Sequence, residues 1–152
     1  MSMSQLLFSF QGRLNRKPYW MTAIAITVFL IVLMLIALGL VGKREFGAAI
    51  GVVALIIILY IPLIWVGLAV GAKRLHDRDK SAWWLLLFYA APSVLSGAAN
   101  RTDDIGAMGV VLHLVSFAIT VWAIVELGFL RGTLGPNRYG PDPLAPPALP
   151  SS

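Results

Sequence analysis

Four long apolar stretches, separated by short polar links, constrain this chain more than any other feature. They cover residues 21–41, 47–72, 83–99 and 107–130. A helix needs roughly 20 apolar residues to cross a hydrocarbon core about 30 Å thick. The first, second and fourth stretches meet that length. The third, of about 17 residues, stands near the lower limit. Charged residues make up 12% of the chain, about half the ~25% usual in a soluble domain. A soluble fold would need four helices that are apolar on every side. The expected architecture is an all-α membrane protein, with four transmembrane helices in two antiparallel hairpins. The bundle takes residues 21–130, after an interfacial basic segment (1–20) and before a Gly/Pro-rich cytoplasmic tail (131–152).

The basic residues set the expected orientation. Nine of the twelve Lys and Arg fall before the first stretch, between the second and third, or after the fourth. Lys43, Arg44 and Arg101 lie on the opposite side. By the positive-inside rule the nine face the cytoplasm, and both termini lie there too. The aromatic residues lean the same way. Trp20, Trp83 and Trp84 sit at this face, and Trp65 and Trp122 lie in the nearer halves of their stretches. The first stretch reads as retained, because its apolar run exceeds the 7–15 residues of a signal peptide and no A-x-A-like site follows.

Other features shape the bundle. Gly47 and Gly51, and again Gly67 and Gly71, have the four-residue spacing that lets membrane helices approach closely. Pro18 fits the first turn of a helix. Pro62 is expected to kink the second span, and Pro92 lies near the middle of the third. The link before residue 107 is acidic, and the low-complexity end after about residue 143 is expected to be disordered. The chain has no cysteine, which excludes disulfides, thiolate metal sites and cysteine nucleophiles.

Three clusters on the basic face carry most of the polar chemistry. The first holds Phe10, Gly12, Arg13, Arg16, Tyr19 and Trp20. The second holds Lys73, Arg74, His76, Asp77, Ser81 and Trp83. The third holds Gly132, Thr133, Gly135, Asn137, Arg138, Tyr139, Gly140, Asp142 and Pro143. In order and spacing they resemble the bacterial inner-membrane family called domain of unknown function 805, over about residues 8–143. Lys73 stands where that family's pattern has Arg, keeping the charge without the planar fork. The resemblance implies a small bacterial inner-membrane protein and no particular activity.

Physically, the clusters suit a polar layer under the bundle. Arg74 and Asp77 share a helix face if the second span continues outward. Asp77 could then hold the Arg74 guanidinium, with His76 capping or orienting either. One reading is a structural loop lock. The other is a surface for lipid headgroups, an anionic ligand or a protein partner, built from Arg13, Arg16, Trp20, Arg74, His76, Asp77, Trp83, Asn137, Arg138 and Tyr139. The third cluster reads as a turn-rich strap pinned by Arg138 and Tyr139. Within the fourth stretch, Glu126 is expected to pair with an Arg of the basic layer. His113 is expected to pack and hydrogen-bond across helices.

No cofactor or metal site is expected, since one His with scattered Asp does not supply convergent ligands. No nucleophile accompanies His76 and Asp77, so no enzyme is expected. The positive charge is juxtamembrane and lacks a reading helix, which argues against nucleic acid. The expected function is a non-catalytic inner-membrane scaffold or accessory subunit. Its partners would be anionic lipids of the inner leaflet, a membrane protein or a second copy. The alternative is a small transporter or channel using Glu126.

Overall fold

A computed structural model of the chain describes residues 2–101 and 106–145. Most of the acidic link and the end of the low-complexity tail lie outside them. Among the described residues five helices follow one another: α1 (Met3–Phe8), α2 (Arg16–Gly42), α3 (Phe46–Asp77), α4 (Leu86–Ala99) and α5 (Ala107–Phe129). No strand occurs among the described residues; an isolated bridge joins Asn137 and Gly140 in the tail.

Three helices, α2, α3 and α5, are long and apolar enough to cross a membrane. Helix α4 is shorter. Its 14 residues extend about 21 Å, less than a full hydrocarbon core. The expected third span thus shortens at its start. There the chain opens into a π-helical turn, Leu86–Ala90, just before Pro92, and the Ala91 N–H reaches back to the Leu86 carbonyl. A proline has no N–H to give the preceding turn, and a wide turn beside it relieves the misfit. Ser116 Oγ on α5 donates to the Pro92 carbonyl at 3.1 Å, tying α4 to α5.

Helix α2 packs on α3, and α4 on α5. The two hairpins meet at the basic end, through Ala72, Leu75, Leu85, Phe88, Ala123 and Leu127. Farther along α3, Ile50, Ile57, Ile58 and Ile61 are exposed, a surface suited to lipid tails. The glycine pairs do not form two seams. Gly47, Gly51 and Gly67 have no atom within 4 Å of where a Cβ would stand, and only Gly71 is packed, at 3.0 Å from Leu85. Along the far part of α3 the packed position is Ala49, which is buried, while the glycines beside it lie on an open face.

His113 also departs from expectation. It lies on an exposed face of α5 and has no hydrogen-bond partner among the described residues. The serine of the same helix, Ser116, makes the interhelical bond instead, to Pro92 and to Ser96 Oγ at 2.9 Å.

Candidate functional site: the polar base of the bundle

Helix α3 does not stop at the end of its apolar run. It continues through Lys73, Arg74, His76 and Asp77, which are all buried. That extra turn projects three charged side chains among the ends of the other helices. The C-termini of α1, α3 and α5 converge there, and each leaves carbonyls without a partner in its own helix. The negative ends of these helices favour cations.

Each cation answers a particular helix end. Lys73 Nζ donates to three carbonyls at the close of α1: Gln5 at 2.8 Å, Ser9 at 2.7 Å, and Leu6. An ammonium carries three donors, and all three are used. The close of α5 draws donors from two helices. Arg74 Nε donates to the Leu127 carbonyl at 2.7 Å, and Nη2 to that of Leu130. Trp20 Nε1 reaches the Gly128 carbonyl at 3.0 Å, and Arg16 the Phe129 carbonyl at 2.9 Å. Arg78 takes the Arg131 carbonyl at 2.6 Å. Five consecutive carbonyls, from Leu127 to Arg131, are thus held by side-chain donors. Helix α5 ends here in a π-helical turn, Val125–Phe129, which widens its last turn.

Asp77 is the buried counterion of this layer. Its Oδ2 accepts from Arg74 Nη1 at 2.6 Å, and its Oδ1 from Arg13 Nε at 3.1 Å. Asp77 is 2% exposed, Arg13 4% and Arg74 0%. Taking such charges from water costs several kcal/mol per ion, offset only when every donor and acceptor is engaged. Arg13 completes its set on the tail, donating to the carbonyls of Thr133 and Gly135, both at 2.6 Å.

The tail strap closes α3. Thr133 N–H donates to the Asp77 carbonyl at 2.8 Å, and Asn137 Nδ2 to that of His76 at 2.9 Å. Leu14 N–H takes the Lys73 carbonyl at 3.1 Å. The Tyr139 ring stacks on His76, with centroids 3.9 Å apart and planes 5° from parallel. Arg138, more exposed, pairs with Asp79 at 3.1 Å. Within the strap, Asp142 accepts from the N–H groups of Leu144 and Gly135, which hold its carboxyl below the usual carboxylate range.

Glu126, 3% exposed, pairs with Arg78 at 3.0 Å and Lys80 at 2.9 Å. It anchors the turn after α3 to the end of α5. His76 Nδ1 lies 3.3 Å from the Gly12 carbonyl, which assigns the ring proton to Nδ1 and leaves Nε2 as an acceptor. With Phe10, Ser81, Leu85, Trp83 and Tyr139, His76 lines a cavity of about 390 Å³. Trp83 is 75% exposed at its rim.

The candidate residues therefore separate into groups. Arg13, Arg74, His76, Asp77 and Asn137 come together in one interior network. Arg16 and Trp20 serve the end of α5, and Trp83 stands apart at the cavity rim. The buried guanidiniums of Arg13 and Arg74 point inward, so neither is free for an external anion. Three participants were not legible as such: Lys73 as the cap of α1, Arg78 as a further donor to the end of α5, and Thr133 as the bond to α3. The adjacent Gly132-Thr133 pair was the available signal for the last. Gly132 lies so close to Asp77 that a Cβ there would overlap its carboxylate.

A family described as "Protein of unknown function (DUF805)" matches residues 7–141. The "Uncharacterized protein YiiR" of Escherichia coli (strain K12) is 33% identical over 142 residues, covering 93% of this chain and 90% of its own. The "Inner membrane protein YhaH" of the same organism is 33% identical over 138 residues, covering 91% and 89%. Its "Inner membrane protein YhaI" is 29% identical over 143 residues, covering 88% and 85%. No solved structure matches the chain.

Proposed function

The chain belongs to the DUF805 family of unknown function, and we propose that it is a non-catalytic scaffold or accessory subunit of the bacterial inner membrane. Its cytoplasmic face is the contact surface. Residence in that membrane is supported by the three long apolar helices and by the relatives named as inner membrane proteins. Four spans with both termini cytoplasmic belong to the same proposal. Local bilayer thinning would accommodate the short α4.

The observation that carries the scaffold reading is the cavity beside Trp83. Its walls are mostly apolar and aromatic, His76 and Ser81 add polar groups, and an exposed Trp stands at its rim. Interface centres that bind protein partners are enriched in such aromatic anchors. The occupant would be a partner segment bringing an apolar side chain and an adjacent N–H or O–H donor. The test is native co-purification in mild detergent, with a photo-crosslinker at Ser81. A specific partner should be retained by the wild type and by Phe46→Ala, exposed at the far end of α3, and lost in Trp83→Ala. Retention by Trp83→Ala and by a cavity-blocking Ala82→Trp would refute the reading.

A second reading, contact with anionic lipid, is favoured by cations that the interior network leaves outward. Lys17 and Arg131 are exposed, and their side chains have no hydrogen-bond or ion-pair partner among the described residues. Each basic residue near an anionic leaflet contributes about 1 kcal/mol.

Transport through Glu126 has less support, because both cations beside it hold the carboxylate at the inner end of α5. Unchanged flux in Glu126→Gln would remove the residue from any transport role. Catalysis by His76 and Asp77 is likewise disfavoured. The Asp77 carboxylate is held by two guanidiniums, and the His76 ring is clamped against Tyr139.

A further inference from the structure

A further cavity, of about 370 Å³, lies between α3 and α4. Tyr60, Ile64, Gly67 and Leu68 of α3 line one wall, and Tyr89 and Ser93 of α4 the other. From Tyr60 to Leu68 this groove follows α3 for about 12 Å. It joins the cavity beside Trp83. Leu68 lines both, and Leu86 of the one shares a single π-helical turn with Tyr89 of the other. A continuous recess thus runs from the polar base to the middle of α3. It exists because the two hairpins splay. Among the described residues no Cα atom of α3 comes within 8 Å of one in α4, and only their side chains meet, at the base.

The chemistry of the groove narrows its occupant. No charged side chain lines it, so it offers no counterion to an ion. The Ser93 hydroxyl is turned to the Tyr89 carbonyl at 2.9 Å. The hydroxyls of Tyr60 and Tyr89 have no hydrogen-bond partner among the described residues. Tyr60 stands near the middle of α3, far from the interfaces where a Tyr anchors itself among headgroups. A hydroxyl without a partner in hydrocarbon costs free energy that an acyl chain cannot return. A membrane helix can return it through a polar side chain. The floor of the groove also admits one. A Cβ at Gly67 would have no atom within 4 Å, which leaves space for an approaching ridge of side chains.

We propose that the partner is itself a transmembrane protein, one of whose helices lies along this groove with its cytoplasmic end at the Trp83 cavity. This partner class rests on the scaffold reading above, in which Trp83 anchors a partner segment. The helix sets a polar side chain opposite Tyr60, and small or aliphatic side chains opposite Ile64 and Gly67. Its continuation past the membrane brings the apolar side chain that enters the cavity beside Trp83. Groove and cavity are one interface engaged at two depths.

Photo-crosslinking in the native membrane tests this, with benzoylphenylalanine placed at Ile64 in the groove, at Ser81 in the cavity, or at Leu35 on the exposed face of α2. Ile64 and Ser81 should capture the same protein, and Leu35 should not. Peptide mapping should place the Ile64 adduct within an apolar run of about 20 residues, and the Ser81 adduct at its cytoplasmic edge. Gly67→Leu fills the groove and should unfold at the wild-type temperature, because its side chain enters open space. It should lower both adducts about tenfold, the equivalent of ~1.4 kcal/mol. Tyr60→Phe keeps the ring and should lower them about threefold, the effect of a typical interhelical hydrogen bond. Ile64→Trp, read at Ser81, is the second block if Gly67→Leu does not fold. A groove adduct of lipid alone, or of a second copy of this chain, would overturn the partner helix, as would wild-type yields in a folded blocked variant. If Ser81 still captures a Trp83-dependent partner in that case, the groove assignment falls and the scaffold reading stands. Capture at Ile64 with none at Ser81 would instead remove the cavity end of the interface, and the scaffold reading with it.

Discussion

The backbone of Gly132 lies against the carboxylate of Asp77, so that a Cβ at Gly132 would stand 2.6 Å from Oδ1 and closer still to Oδ2. The neighbouring Thr133 N–H bonds the Asp77 carbonyl at 2.8 Å. The tail thus touches the central counterion through the one residue type that leaves room for it. Gly132→Ala should force the strap away from α3 and cost about 1–3 kcal/mol, as overpacking of a close-fitted site does. Thermal unfolding in detergent measures the cost. Limited proteolysis should show new cleavage after Leu130 with the helices intact.

Lys73 holds the close of α1 through three carbonyls. Lys73→Met keeps the length of the side chain and removes every donor. A carbonyl left without a partner costs about 1–3 kcal/mol where burial keeps water from it, and less on the half-exposed α1. Because α1 has only six residues, it should detach rather than unfold the bundle. Hydrogen exchange should then lose protection over residues 2–9 while α3 stays protected. Protection of α1 equal to wild type would show that its apolar contacts suffice.

Acid acts on the strap through Asp142. Its carboxyl is held below the ordinary range, first by the Leu144 N–H and also by that of Gly135. A depressed native pKa contributes stability that is present above the unfolded value and lost as pH falls through the native one. Above the ordinary carboxylate range Asp142 stays ionised, and its own contribution to the strap's protection should be flat. It should weaken only in the acid limb, below the usual carboxylate range. Asp142→Asn should remove that acid-limb dependence, read as the rate of proteolysis near Gly135 against pH.

Topology follows from chemistry the chain itself permits. It has no cysteine, so single thiols report their side without background. Ser4→Cys and Ser81→Cys should be labelled only from the cytoplasmic side. Arg44→Cys and Gly106→Cys should be labelled only from the other. Cytoplasmic labelling at Gly106 would mean that α4 and α5 do not cross as a hairpin.

Much of this fold was legible in the sequence, because apolar length and charge side are local properties. The stretches 21–41, 47–72 and 107–130 became α2, α3 and α5, and the pairing of Arg74 with Asp77 followed from their helical spacing. The role of the remaining cations was not legible. Sequence shows side chains, whereas Lys73, Arg16 and Arg78 answer backbone carbonyls whose positions depend on where three helix ends converge. A cluster of Arg and Lys reads as an anion site until those carbonyls are placed. The π-helical turns of α4 and α5 were hidden for a related reason. A wide turn beside Pro92, or at a capped helix end, depends on tertiary contacts rather than on propensity. Gly47, Gly51 and His113 misled because membrane-helix patterns do not say which face meets a neighbour.

The central claim is that the basic layer is an internal lock organised by Asp77, and a double-mutant cycle on Arg13 and Asp77 tests it most directly. Unfolding free energies would be measured in one detergent for Arg13→Gln, Asp77→Asn and the double variant. Asp77→Asn alone should cost about 3–5 kcal/mol, because two buried guanidiniums lose their counterion. The coupling between the two sites should fall at about 0.5–3 kcal/mol. A folded Asp77→Asn within about 0.5 kcal/mol of wild type, the range of an ordinary surface substitution, would contradict the lock. Arg13 and Arg74 would then be available for a ligand outside the chain.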